Sequence, residues 1–223
     1  MGTVDFMREC VYCSGPLFCP EEVAAMTAIA ESLEAGGFAT FLPHRDGIEA
    51  HVIPYASGLG GLLPAPLRRR IDRAIFALDV FQIVERCDYL VFNMNGRAPD
   101  EGAAVEAGIA FACGKPVVVF KSDVRSAFGG ADNSMIVGLS PVPPVDEVRK
   151  LPRAILAVAS ARRPSPEIAA LPPNVAHVVA SGRRIARLLA RLPAPAPLPN
   201  AELVERIVRL CEEDGISDPT AQS

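Results

Sequence analysis

The chain has no tryptophan, only 6% aromatic residues in all, and no run of lysine and arginine long enough to form a basic tail. With a net charge of -4, these absences leave no electrostatic case for a nucleic acid polymer as partner. Also missing is an apolar run of membrane-spanning length, because charged residues, glycine or proline interrupt each candidate, so no membrane association is expected. The opening residues, MGTVDFMREC, lack the basic start and apolar stretch of a leader. Phe6 stands where a myristoylation signal needs serine or threonine, and a cytoplasmic protein is expected. Neither GxGxxG nor GxxxxGK[ST] occurs, so neither a dinucleotide nor a nucleoside triphosphate is signalled and no cofactor is expected. Cys10 and Cys13 form a CxxC, but no second CxxC or nearby histidine completes a zinc set, and no metal site is expected. The stretch around them reads as a strand, where residues at odd separation point to opposite faces. All six cysteines are therefore expected as reduced thiols.

What is present is a chain of 223 residues, 50% hydrophobic, enough for one sizeable core. Buried-strand candidates alternate with helical patterns. CVYCSG is followed by a helix over 20–35, opened by Pro20 and closed by Gly36 and Gly37. Then come FATFLP, a Gly-rich loop from His44 to Leu63, a helix from about Leu67 to Arg86, and DYLVFNMN. A helix at about Asp100 to Cys113 and the strand PVVVF complete the series. Such alternation predicts an α/β fold, a parallel sheet with helices on both faces, over residues 1–140. Beyond 140 two Pro-rich joints separate helical stretches near Val145 to Ser160, Val175 to Leu192 and Ala201 to Glu213, so 141–223 is expected as a helical C-terminal extension. Arg183, Arg184, Arg187 and Arg191 spread over one broad side of their helix and read as a solvated face.

In parallel sheets of this kind ligands bind beyond the carboxyl ends of the strands. The segments emerging there are SGPLF, PHRDG and NMNGRAPDEG, followed by KSDVRSAFGGADNSM. Ser14, Gly15, Pro16, Leu17 and Phe18 are therefore candidate contacts for a small ligand, with Arg45, Asp46, Asn95 and Gly102. Glu106 is the lone charge in AAVEAGIAFACG, and its neighbours one turn away are Gly102, Ala103, Ile109 and Ala110. Either it faces solvent or those small residues clear an approach to a working carboxylate. Asp79 lies at the margin of the stripe Ile71, Ile75, Leu78 and Ile83, where a carboxylate pairs in the core or serves a site. Asp100, just after Pro99, is placed to cap the next helix. Several acids at one strand-end pocket suggest glycosyl chemistry, in which one carboxylate attacks an anomeric carbon while a second acid protonates the leaving group.

In order over about residues 8–139, VYCSGPLF, FLPHRDG, DVFQIVERCDYLVFNMNG, PDEGAAVEAGIAFACGKPVVVF and NSM resemble the nucleoside 2-deoxyribosyltransferase family. The resemblance implies a flavodoxin-like, three-layer fold and a homo-oligomer whose sites are shared between subunits. It implies Glu106 as the nucleophile, Asp79 as the residue protonating the departing base, and Asp100 as a sugar contact. Tyr12 is implied as a hydrogen-bond partner beside the nucleophile, and Asn133 and Met135 as residues reaching a neighbouring subunit's site. The spacing from Asp79 to Asp88 is one residue longer than the family pattern, and a long extension follows the core. The expected activity is transfer of 2-deoxyribose between nucleobases. Two alternatives remain open: an N-glycosidase that transfers the sugar of a nucleoside or nucleotide to water, and a non-catalytic nucleoside-binding protein. Glu21 and Glu22 would repel a 5'-phosphate near the first strand end, whereas Arg45, Arg97 and Arg125 would accept one.

Overall fold

Four short, mostly apolar runs form a parallel sheet: β1 (Cys10–Ser14), β2 (Ala39–Phe41), β3 (Tyr89–Asn93) and β4 (Val117–Phe120). They stand in the order β2-β1-β3-β4. The computed structural model describes residues 8–52, 64–96, 98–125, 132–191 and 204–209. Its helices are α1 (Pro20–Ala35), α2 (Pro43–Asp46), α3 (Ala65–Phe81), α4 (Glu101–Ala112), α5 (Ser134–Val137), α6 (Leu151–Val158) and α7 (Pro173–Leu189). Residues 49–52 and 204–209 are also helical.

The chain divides into two compact units, each built from two stretches: residues up to Leu42 with Ile83–Ser165, and Pro43–Gln82 with Pro166 onward. The first holds the sheet. Alternation along the strands sorts its side chains to two faces. Val11, Cys13, Tyr89, Val91, Val118 and Phe120 join Met26, Ile29 and Leu33 of α1 and Leu151, Ile155 and Val158 of α6 in one core. Tyr12 and Ser14 point the other way, to α4. The expected three-layer α/β architecture is therefore present, with a sheet buried on both faces. The chain leaves β1 for β2 on one side and reaches β3 on the other. Ser14 thus ends its strand beside Phe92 at the point where the winding reverses. In open parallel sheets that crevice is where ligands bind.

Gly15 follows β1 because nothing larger fits: a Cβ there would lie 2.5 Å from Met26 Sδ and 2.8 Å from Asn93 Cβ. Beyond β4, Val145 does not open a helix as its sequence suggests. Its N–H donates to the Val119 carbonyl at 2.8 Å, its own carbonyl accepts from the Lys121 N–H at 2.7 Å, and it bridges Phe120 in parallel. The proline-rich approach, PVPP, holds the chain extended there and delays the helix to Leu151. Arg162 donates to Asp88 Oδ1 at 2.5 Å, and the Lys115 ammonium donates to the Ser165 hydroxyl at 2.8 Å. Residues 145–165 are thus part of the sheet unit, and the boundary expected near residue 140 falls inside it.

The second unit contains α2, α3 and α7. At Gly182 of α7 a Cβ would come within 2.0 Å of the Ala77 carbonyl oxygen of α3, so the glycine lets the two helices close on each other. The expected loop from His44 begins as α2, and residues 53–63 lie outside the described residues. The helix expected to reach Arg86 ends at Phe81 and continues as a wider π turn over Gln82–Arg86. Among the described residues no helix is long and apolar enough to cross a membrane.

Candidate active site

The sheet unit brings Tyr12, Ser14, Asp100 and Glu106 together. Tyr12 and Ser14 are two residues apart on β1 and share a face, so both hydroxyls meet α4. Tyr12 is fully buried, and its ring stacks on Phe41 with centroids 5.5 Å apart. Its hydroxyl donates to Glu106 Oε1 at 3.0 Å. Ser14 is 0% exposed and donates to Glu106 Oε2 at 2.5 Å, with the Ala103 carbonyl as a second acceptor at 3.4 Å. Each carboxylate oxygen therefore receives a hydroxyl from one rigid strand.

Asp100 caps α4, its Oδ2 accepting from the Ala103 N–H at 2.7 Å, as the sequence leads one to expect. Gly102 lies in the first turn of α4 and is exposed, with Asp100 Oδ2 3.3 Å from where its Cβ would be. Among the described residues Glu106 makes no ion pair. Withdrawal from water is the main influence on its carboxyl and raises it. The hydroxyls of Ser14 and Tyr12 oppose the rise and the negative charge of Asp100 adds to it, leaving a pKa raised to about 7. Such a group is half ionised near neutrality, which suits a nucleophile that must also leave.

The other candidates have identifiable work. Gly15 is required by packing, as described, and Leu17 lies partly buried against the core. Pro16 is buried, and Phe18 projects at 83% exposure. The Phe18 N–H donates to Glu22 Oε2 at 2.8 Å, so a backbone donor just before α1 already holds a carboxylate. Asn95 clamps two strand-end loops: its Oδ1 accepts from the N–H groups of Ser122 and Asp123 at 2.9 and 3.0 Å, and its amide donates to the Ser122 hydroxyl at 3.1 Å. Asn133 caps α5 by accepting from the Met135 N–H at 2.9 Å, which leaves the Met135 side chain 81% exposed.

Arg45 makes two bonds of 2.9 Å to Asp46 in α2. Arg125 forks onto Asp123, and that pairing holds the Asp123 carboxyl far below its ordinary range. Arg97 lies outside the described residues. Asp79 is 8% exposed, within the second unit on α3.

Cys13 belongs to the core beside α1, while Cys10 Sγ lies 3.0 Å from Cys87 Sγ. The CxxC pair thus diverges as strand geometry requires, and the described cysteines are free thiols. The sequence offers Ser14 as a ligand contact and carries no direct sign of its bond to Glu106. The available signal is the Tyr12-x-Ser14 alternation facing a helix whose one acid beyond its first turn is Glu106.

The sequence profile of the family described as nucleoside 2-deoxyribosyltransferase matches residues 11–139. A comparison with curated proteins found no match. Similar solved structures include a conserved protein from Enterococcus faecalis V583, 19% identical over 67% of this chain and 98% of that one, with a TM-score of 0.47. Another is a 2-desoxiribosyltransferase from Leishmania mexicana, 17% identical over 68% of this chain and 97% of that one, with a TM-score of 0.42.

Proposed function

The chain belongs to the nucleoside 2-deoxyribosyltransferase family, and from that premise we propose that it moves 2-deoxyribose between nucleobases through an ester on Glu106. The observation that carries the reading is the Glu106 carboxylate itself, desolvated at the carboxyl edge of the sheet and held by Tyr12 and Ser14 at 3.0 and 2.5 Å. In the first step a Glu106 oxygen bonds to C1' of a 2'-deoxynucleoside. The C1'–N bond breaks, its electron pair stays with the base, and the base takes up a proton supplied through Asp79 or a water. In the second step an acceptor base nitrogen bonds to C1', loses its proton, and returns the ester electron pair to Glu106. Asp100 contacts the sugar, and Asn133 and Met135 serve a neighbouring subunit's site. Orientation and a poised carboxylate lower the barrier.

A free nucleoside suits the first strand end better than a 5'-phosphate. Glu22 holds the Phe18 N–H, and Arg45 and Arg125 are engaged by Asp46 and Asp123. A phosphate at the first strand end would meet the Glu22 carboxylate.

Intact-protein mass spectrometry after incubation with 2'-deoxyinosine tests the ester, which is expected on the wild type and absent from Glu106→Ala. Base exchange with adenine that survives in Glu106→Ala would overturn the mechanism. Sugar release from the nucleoside and its monophosphate, with and without acceptor base, separates transfer from hydrolysis.

A further inference from the structure

Ser14 is the last residue of β1 and is 0% exposed. Its hydroxyl carries one proton and has two acceptors, Glu106 Oε2 at 2.5 Å and the Ala103 carbonyl at 3.4 Å. The shorter contact has the length of a charge-assisted bond and the longer lies at the weak end of the range, so the proton belongs to the carboxylate while it is charged. The strand fixes the hydroxyl, since β1 is bonded to β2 on one side and to β3 on the other, and Ser14 itself pairs with Phe92.

We propose that Ser14 is a positioning residue that holds Glu106 in its carboxylate form, opposing esterification as well as protonation, and so keeps the sugar ester short-lived. This rests on the ester mechanism above. A proton and a sugar C1' neutralise the same charge, so a donor that favours the charge disfavours both adducts. Once an oxygen of Glu106 is bound to C1', the group is a neutral and weaker acceptor, and the Ser14 proton gains less from it. When the C1'–O bond breaks, the electron pair returns to Glu106 and the strong bond to Ser14 is restored. Ser14 thereby assists departure of the carboxylate in the second step without touching the nucleoside.

The test uses Ser14→Ala, with Ser14→Thr to restore a hydroxyl and Ser14→Cys as a variant of similar size should alanine fail to fold. Carbon-13 NMR of glutamate-labelled protein follows the Glu106 carboxyl, assigned by its disappearance in Glu106→Gln. Loss of a hydrogen bond to a charged group is expected to raise the titration midpoint by about one unit, with Thr returning it toward wild type. At a pH where both proteins are ionised, the ester formed from 2'-deoxyinosine is chased with adenine. Its decay is expected to slow about tenfold in Ser14→Ala, with no rise in KM for the nucleoside.

An unchanged midpoint or an unchanged decay rate overturns the proposal. So does a raised KM at constant kcat, which would make Ser14 a substrate contact. If the wild type forms no ester, the proposed function fails, and the titration alone then decides whether Ser14 holds the charge.

Discussion

Two desolvated charges sit at opposite ends of the same sheet. At the amino end Lys115 is 4% exposed, and its ammonium donates to the Cys87 carbonyl at 2.7 Å and the Ser165 hydroxyl at 2.8 Å. Beside it, Asp88 accepts the Cys10 N–H at 2.9 Å and the guanidinium of Arg162. These charges are tied to backbone and to countercharge. At the carboxyl end Glu106 has two hydroxyls, a neighbouring Asp100, and no ion pair among the described residues. The amino end uses its charges to fasten 145–165 to the strands, whereas the carboxyl end leaves one group able to gain or lose its charge. Burial alone therefore does not mark a working residue. Under the proposed mechanism the one that works is the carboxylate with no compensating cation among the described residues.

The most severe way to break this contrast is Glu106→Gln. Base exchange should fall at least about a thousandfold, as expected for loss of a covalent nucleophile, while the protein stays folded. Activity assays and circular dichroism together check it, and an equal loss of structure would make Glu106 another fastening group.

The next largest effect is with pH. Ester formation needs the carboxylate, so its rate should fall about tenfold per unit below the pKa of about 7 and level off above it, as stopped-flow or quench mass spectrometry at several pH values would show. A folded pKa raised from 4.5 to about 7 means the folded state binds the proton more tightly, so this stabilisation is present below 4.5 and lost between 4.5 and 7. Glu106→Gln should therefore gain on the wild type in thermal melts as pH rises through that window, by roughly 3 kcal/mol at most.

At the other end, Lys115→Met keeps most of the packing but strips a donor from the Cys87 carbonyl. A loss of about 1–3 kcal/mol should lower Tm by several degrees, with kcat of the folded protein within about twofold. A large fall in kcat at unchanged Tm would erase the distinction between the two ends. The smallest effect should come from Asp100→Asn, which keeps a cap on α4 but removes the like charge near Glu106. The Glu106 midpoint in a carbon-13 titration should move down by less than about one unit.

Much of the sheet unit is legible in the sequence because its signals are local. Pro20 and the paired glycines bracket α1 at the residues observed, and Asp100 caps α4 as its place after Pro99 suggests. Glu106 stands out because its helix has almost nothing else polar. What escapes the sequence is long-range. Nothing local says that Ser14 bonds a residue 92 positions away, that Asn95 spends its amide on Ser122 and Asp123, or that Val145 lines up beside β4. The segment 43–82 also carries ordinary helical signals, yet it packs into a unit with residues from Pro166 onward. Such groupings depend on partners far along the chain, which periodicity does not encode.

The attachment of 145–165 separates two boundaries that are easily taken as one. The stretch by which the family is recognised stops at residue 139, but Leu151, Ile155 and Val158 fill the core against α1, and Ser165 holds the Lys115 ammonium. Cutting the chain after the family stretch would open that core to water and leave a buried cation short of an acceptor, whereas cutting after Ser165 would spare both. The inherited segment is thus shorter than the piece of chain that needs to stay together, and excising the enzyme by its ancestry would remove part of its interior.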